Sequence, residues 1–220
     1  MNVLVIAPHP DDEILGAGGT IAKHVSLGNE VYVCIVTKGC EPLFSPESVN
    51  KVRNECIDAD KLLGVKRTIF LDHPAAMLET VPRYKINTDF VKLVQEIKPE
   101  EVYIPHRGDM QIDHKMVVDA VMVALRPKYN FVPKRVLAYE TLSETGWDLP
   151  NVNNEFIPNV FNDISDFLDI KLDALKKFTT QISDFPDSRS LEAVKALAIY
   201  RGATMHLNAA EAFCLIRELC

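Results

Sequence analysis

Short apolar runs alternate with stretches of helical period along most of the chain, and this alternation constrains the fold more than any other feature. The runs are NVLVIAP (2–8), EVYVCIV (30–36), TIFLD (68–72), EVYIPH (101–106) and RVLAYE (135–140). They are rich in Val, Ile, Tyr and Phe, and three have nearly unbroken apolar cores, the pattern of strands buried on both faces. Between them lie helical stretches. The first, 13–27, ends at Gly28, a helix-stop residue. The second, 47–63, carries Val49, Val52, Cys56, Ala59, Leu62 and Leu63 on one stripe, with Gly64 after it. The third, 88–97, is stopped by Pro99, and the fourth, 113–125, by Pro127. Strands that alternate with helices form right-handed βαβ units. The expected class is α/β: an open, mostly parallel sheet with helices on both faces.

The last third differs. Residues 141–159 are polar and turn-rich, which predicts a loop or lid. Two helical stretches follow, roughly 164–181 and 189–204, separated by FPDS at 185–188. No boundary or repeat interrupts the 220 residues, so a single domain over 1–220 is expected, with the tail helices packed on the sheet. A net charge of −7 argues against nucleic acid as a partner, because phosphate neutralisation needs a surplus of Lys and Arg. No run approaches the ~18 apolar residues of a membrane span. The amino terminus is apolar too briefly, and lacks the basic start, for a secretory signal. Five cysteines, an odd number without CxxC spacing, read as reduced thiols of a cytoplasmic protein.

Chemistry is concentrated where strands end. His9, Pro10, Asp11 and Asp12 follow the first strand directly, and open α/β sheets bind ligands beyond the carboxyl ends of their strands. Adjacent carboxylates on a turn point in different directions, so one can hold a metal while the other moves protons. A single Asp there would read as a helix N-cap; a His with two Asp within four positions reads as a site. The nearby GAGGT (16–20) is not a dinucleotide fingerprint, because its glycines begin inside the helix rather than right after the strand. Small residues that let the helix approach the metal loop are the expectation.

A second strand-end loop follows EVYIPH and carries Arg107, Asp109, Gln111, Asp113 and His114. His9, Asp12 and His114 together would offer two nitrogens and one oxygen. That set suits zinc, whose catalytic sites keep three protein ligands and one open position. Asp113 is placed to orient a ligand.

HPDDEILGAGGT resembles the amino-terminal signature of the PIG-L/LmbE-like family of zinc-dependent N-deacetylases, and DMQIDH resembles its second signature. Arg53, Asn54 and Glu55 followed by LLGV (62–65) look like the family's Arg-containing helix with its Leu-Gly turn, and AAEAF (209–213) is similar to its tail. The resemblance implies a Rossmann-like fold. It also implies hydrolysis of the N-acetyl group of a glucosamine-type sugar conjugate, with acetate released. By position, His9, Asp12 and His114 look like the Zn2+ ligands, Asp11 like the general base and Arg53 like a substrate contact. The family often forms trimers or hexamers, so a homo-oligomer is implied.

Two positions depart from the pattern. The family's histidine three residues before the last metal histidine is Gln111 here, which donates a hydrogen bond but carries no proton at neutral pH. It is therefore expected to stabilise the oxyanion rather than act as the acid. Asp11 returning its proton, or His106, would then protonate the leaving amine. The tail tyrosine is Ala209, while Glu211 remains as a candidate behind the site. Arg107 could bind a hydroxyl or phosphate, and His73 could line the pocket. His24 and His206 read as ordinary helix residues. Two other readings use the same residues: a metal-dependent phosphoesterase, and a non-catalytic amino-sugar-binding protein that kept a metal loop.

Overall fold

The computed structural model describes residues 1–128 and 130–220. Seven strands form one sheet: β1 (Asn2–Ala7), β2 (Glu30–Lys38), β3 (Arg67–Pro74), β4 (Glu101–Pro105), β5 (Arg135–Tyr139), β6 (Val160–Asp163) and β7 (Ala210–Glu218). Their spatial order is β3-β2-β1-β4-β5-β7-β6. The first five run parallel, while β7 lies antiparallel to both β5 and β6. The helices are α1 (Asp12–Ser26), α2 (Pro46–Leu63), α3 (Arg83–Ile97), α4 (Ile112–Ala124), α5 (Leu168–Leu175) and α6 (Leu191–Ala203).

The two-residue period of a strand puts Val3 and Val5 of β1 on one face and Leu4 and Ile6 on the other. The first face packs against Ile14 and Ile21 of α1, Cys56 of α2, Leu172 of α5 and Val194 of α6. The second packs against Phe90 and Val94 of α3 and Val117 and Val121 of α4. Both faces are therefore covered, which is why the central strands read as unbroken apolar runs. The sheet order turns back between β1 and β4, and the loops after these two strands carry the HPDD and DMQIDH motifs. That reversal opens a crevice at the carboxyl ends of the strands.

Several boundaries differ from the sequence expectation. Helix α3 starts at Arg83, five residues before 88, because Pro82 can open a helix and its carbonyl accepts from the Lys85 N–H. Its first turn buries only Ile86, so the apolar stripe begins late. Helix α5 covers only part of 164–181. Beyond Leu175 the chain makes tight turns, and the Thr179 and Thr180 hydroxyls donate to Glu55. Strands β6 and β7 were not anticipated. The segment AEAFCLIRE is rich in helix formers and becomes a strand only through pairing with β5 on one side and β6 on the other. Residues 141–159 form turns and irregular backbone, as expected of a loop. No helix of the described residues is long and apolar enough to cross a membrane.

The glycines of α1 do not serve the metal loop. A Cβ on Gly16 would lie 2.1 Å from the Tyr139 ring, and one on Gly19 would lie 2.8 Å from Ile164. The Tyr139 hydroxyl passes this gap to donate to the Ile6 carbonyl at 2.8 Å. In the same stretch Glu211 of β7 accepts from the Gly19 and Thr20 N–H groups at 2.9 and 2.7 Å. Lys171 donates both to Glu211, at 2.6 Å, and to the Leu15 carbonyl, at 2.9 Å. The GAGGT and AAEAF motifs thus meet each other, and Glu211 anchors α1 instead of standing behind the metal loop.

Candidate metal centre

Beyond β1 the chain turns sharply at Asp11, whose backbone has φ 112° and ψ −27°. Few residues other than glycine adopt a positive φ, and Asp is among the more tolerant. Asp11 occupies the N-cap position of α1, yet its side chain makes no capping hydrogen bond. Both carboxylate oxygens are buried without a hydrogen-bond partner among the described residues. Glu13 satisfies the Asp11 N–H instead, through Oε2 at 3.0 Å. Asp12 opens the helix, and its Oδ2 accepts the His9 N–H at 2.9 Å.

The second loop brings His114, on the first turn of α4, to the same point. Asp12 Oδ2 lies 3.4 Å from His9 Nδ1 and 3.3 Å from His114 Nε2, and the two rings stand 5.4 Å apart. One donor atom from each of His9, Asp12 and His114 falls within 4.8 Å of the others. The remote nitrogen of each ring is held by a carboxylate. His9 Nε2 bonds Asp113 at 3.0 Å, and His114 Nδ1 bonds Asp109 at 2.8 Å. Asp113 also accepts the Ala76 N–H, and Asp109 accepts the Thr145 hydroxyl. These contacts fix ring orientation and tautomer in the way metal-ligating histidines are usually supported.

The donor set fits a divalent metal. Asp12 Oδ1 and His114 Nε2 are buried and lack hydrogen-bond partners among the described residues, as atoms kept for an ion would. Two imidazole nitrogens and one carboxylate match zinc's preference.

The charges in the site are strongly coupled. Burial opposes charge on His9, but hydrogen bonds to Asp113 and Asp12 prevail and raise its pKa to about 9. The same opposition on His114 is overcome by Asp12 and Asp109, which raise it to about 10. Burial also works against the Asp12 charge, yet His114 and His9 hold it well below the usual carboxylate range. Asp11 goes the other way: burial lifts it to about 7, partly offset by the Arg189 guanidinium.

A cavity of about 380 Å³ opens over His9 and Asp11, with Arg53, Gln111, Arg189 and Thr180 on its wall. Arg53 reaches it while paired with Asp72 and stacked on Phe70. Gln111 borders it from the position preceding α4.

Other expected residues lie elsewhere. Arg107 points outward along α4, bonded to Asp119 at 2.8 Å and largely exposed, so it does not line the cavity. Nearness to the motif in sequence misled because the 107–110 turn directs successive side chains differently. Asp113, counted with the catalytic candidates as a residue that orients a ligand, bonds His9 and the Ala76 N–H and stays off the cavity wall, so it acts on a ligand rather than on substrate. His106 is tied to the Asn154 carbonyl and packs on Phe156, and His73 faces Asp89; neither lines the cavity. His24 belongs to a polar cluster with Tyr103 and Glu101, and His206 sits in a left-handed turn after α6.

Three participants were missed. Asp109 carried the same strand-end signal as its neighbours and was passed over. Glu13 lay next to the motif, but its role depends on the Asp11 backbone. Arg189 lies 3.7 Å from Asp11 Oδ2, supplied by the segment between α5 and α6, and nothing local marks it.

Residues 4–125 match the family described as GlcNAc-PI de-N-acetylase (PIG-L). The chain is 29% identical over 181 residues to an uncharacterized deacetylase, YaiS, of Escherichia coli, covering 80% of this chain and 89% of that one. It is 28% identical over 199 residues to the diacetylchitobiose deacetylase of Thermococcus kodakarensis, covering 84% and 71%. Among solved structures it superposes on a conserved protein of Thermus thermophilus, TT1542, with a TM-score of 0.80 at 24% identity, covering 99% and 96% of the two chains. It superposes as closely on GalB, the 4-carboxy-2-hydroxymuconate hydratase of Pseudomonas putida, with a TM-score of 0.79 at 19% identity, covering 100% and 97%. The last two likenesses are likenesses of fold.

Proposed function

The chain belongs to the PIG-L family of de-N-acetylases, and from that premise we propose that it is a zinc-dependent amidohydrolase that removes the N-acetyl group of a glucosamine-type sugar conjugate. The observation that carries the reading is the His9, Asp12 and His114 set beside a cavity lined by Asp11, whose carboxyl group makes no hydrogen bond among the described residues. The same fold in a hydratase means that the site, rather than the fold, has to support the reaction.

His9 Nδ1, His114 Nε2 and Asp12 would hold the ion. When bound, zinc supplies a water acidified toward neutrality and a positive centre for the amide oxygen. The protein's own groups do the rest. Asp11, on the cavity wall with no hydrogen bond of its own among the described residues, accepts the water's proton as the oxygen attacks the acetamide carbon. It then delivers that proton to the amine nitrogen as the carbon–nitrogen bond breaks. Gln111 Nε2 donates to the amide oxygen as its charge grows. Asp113 and Asp109 keep the imidazoles oriented, and Arg53 binds the sugar conjugate at the cavity wall.

The diacetylchitobiose deacetylase among the relatives supports an amino-sugar substrate. A phosphoesterase of the two-metal kind needs a second ion at the reacting centre. Among the described residues the other metal-like cluster, Glu13, Cys56 and Asp60, is buried and off the cavity wall.

The test is a panel of N-acetylated sugar conjugates scored for acetate, with Asp11→Asn as control. Acetate release that falls at least about 100-fold in the variant is expected. Full activity in Asp11→Asn refutes the base assignment. Binding of the sugars with no acetate from any of them refutes the enzyme and favours the binding protein.

A further inference from the structure

We infer that Glu13 is a positioning residue for the reaction: its carboxyl group clamps the left-handed backbone turn that delivers the Asp11 carboxylate to the cavity. The inference rests on the reading of Asp11 as the proton acceptor.

An aspartate in the N-cap position ordinarily folds its side chain back onto the helix's own N–H groups. That would occupy the carboxylate and leave it useless as a base. Here the φ of 112° turns the side chain away, and both of its oxygens remain without hydrogen-bond partners among the described residues, with only the Arg189 guanidinium near, 3.7 Å from Oδ2. Such a backbone persists only where its surroundings hold it. The Asp11 N–H is buried with its residue, 1% exposed, and it donates to Glu13 Oε2 at 3.0 Å. This is the return half of a capping box, in which a side chain of the first turn reaches back to the N-cap N–H. It comes from the second helical residue instead of the third.

Glu13 is itself fixed. It is fully buried, and its second oxygen, Oε1, accepts from the Cys56 thiol at 3.6 Å. Cys56 in turn approaches Asp60, which accepts from Thr68 at 2.5 Å. A chain of polar contacts thus runs from α2 and β3 through Glu13 to the backbone of Asp11. Glu13 does not line the cavity, so it acts on substrate only through Asp11.

The test compares Glu13→Ala and Glu13→Gln with the wild-type protein, all zinc-loaded. Gln keeps a carbonyl oxygen for the Asp11 N–H; Ala has none. Three readouts are taken: zinc per chain, kcat and KM for acetate release, and the Asp11 φ in crystals. For Ala the expectation is an unchanged zinc content and KM, with kcat down about 100-fold, as for a misplaced reacting group. Asp11 should relax to negative φ in the same crystals, and Gln should restore most of the rate. If the Ala chain does not fold, Glu13→Leu refills the volume without an acceptor and takes its place. Wild-type kcat with a positive Asp11 φ in the acceptor-free variant overturns the inference. So does a Gln variant as impaired as Ala, or a loss of zinc in the acceptor-free variant. A wild-type protein that releases no acetate from any conjugate refutes the deacetylase reading alone; the Asp11 φ in the variants then still decides the clamp.

Discussion

Replacing Glu211 by Ala should destabilise the fold severely. Glu211 and Lys171 are 4% and 3% exposed and meet at 2.6 Å, so removing the carboxylate strands a buried ammonium. Breaking such a pair from one side costs about 3–5 kcal/mol. The Gly19 and Thr20 N–H groups lose their acceptor as well, which acts in the same direction. Against a typical total stability of about 5–15 kcal/mol this is a large fraction. At about 2–4 °C per kcal/mol for a chain of this size, the midpoint should fall by roughly 6–20 °C. The assay is urea and thermal unfolding followed by circular dichroism. The double variant Lys171→Met with Glu211→Gln removes both charges, keeps an acceptor for the helix, and should recover more than half of the loss. A Glu211→Ala protein within about 1 kcal/mol of wild type would refute the reasoning, because no buried and properly paired charge can be lost that cheaply.

Gly16→Ala should cost at least about 1–3 kcal/mol by overpacking, since the new Cβ would fall on the Tyr139 ring; wild-type unfolding would contradict this. Asp109→Asn should weaken metal binding about 10–100-fold by loosening His114, as measured by competition with a chromophoric chelator. Zinc affinity should rise with pH from about 6 to about 8. His9 and His114 of the metal-free protein, raised to about 9 and about 10, must release their protons to bind; a flat profile would exclude those ligands. The sign is opposite for the stability of the metal-free fold. The raised imidazoles contribute fully below the ordinary histidine value, and that contribution is lost as pH climbs through about 9 and 10, which unfolding of the chelated protein across this range would show.

The parallel half of the sheet was legible because strands buried on both faces leave unbroken apolar runs, and Gly28, Gly64 and Pro99 punctuate the helices between them. The metal loops were legible because both motifs directly follow a strand, where side chains converge on the crevice. Strand β7 was not, since Ala, Glu and Leu favour a helix and only its neighbours make AEAFCLIRE extended. Nor was the partnership of GAGGT with AAEAF, which joins segments at opposite ends of the chain through one carboxylate. Arg107 shows the limit of adjacency. Sequence places a residue in the right loop, but the turn decides whether it faces substrate, a ligand or solvent. Arg189 shows the converse, a cavity residue from a segment that carries no motif.

The most direct test is acetate release from an N-acetylglucosamine conjugate by protein stripped with a chelator and titrated with zinc. Activity that vanishes on stripping and returns in full at one equivalent per chain is the predicted result. Turnover that survives stripping, or that needs a second equivalent, would contradict a single ion held by His9, Asp12 and His114.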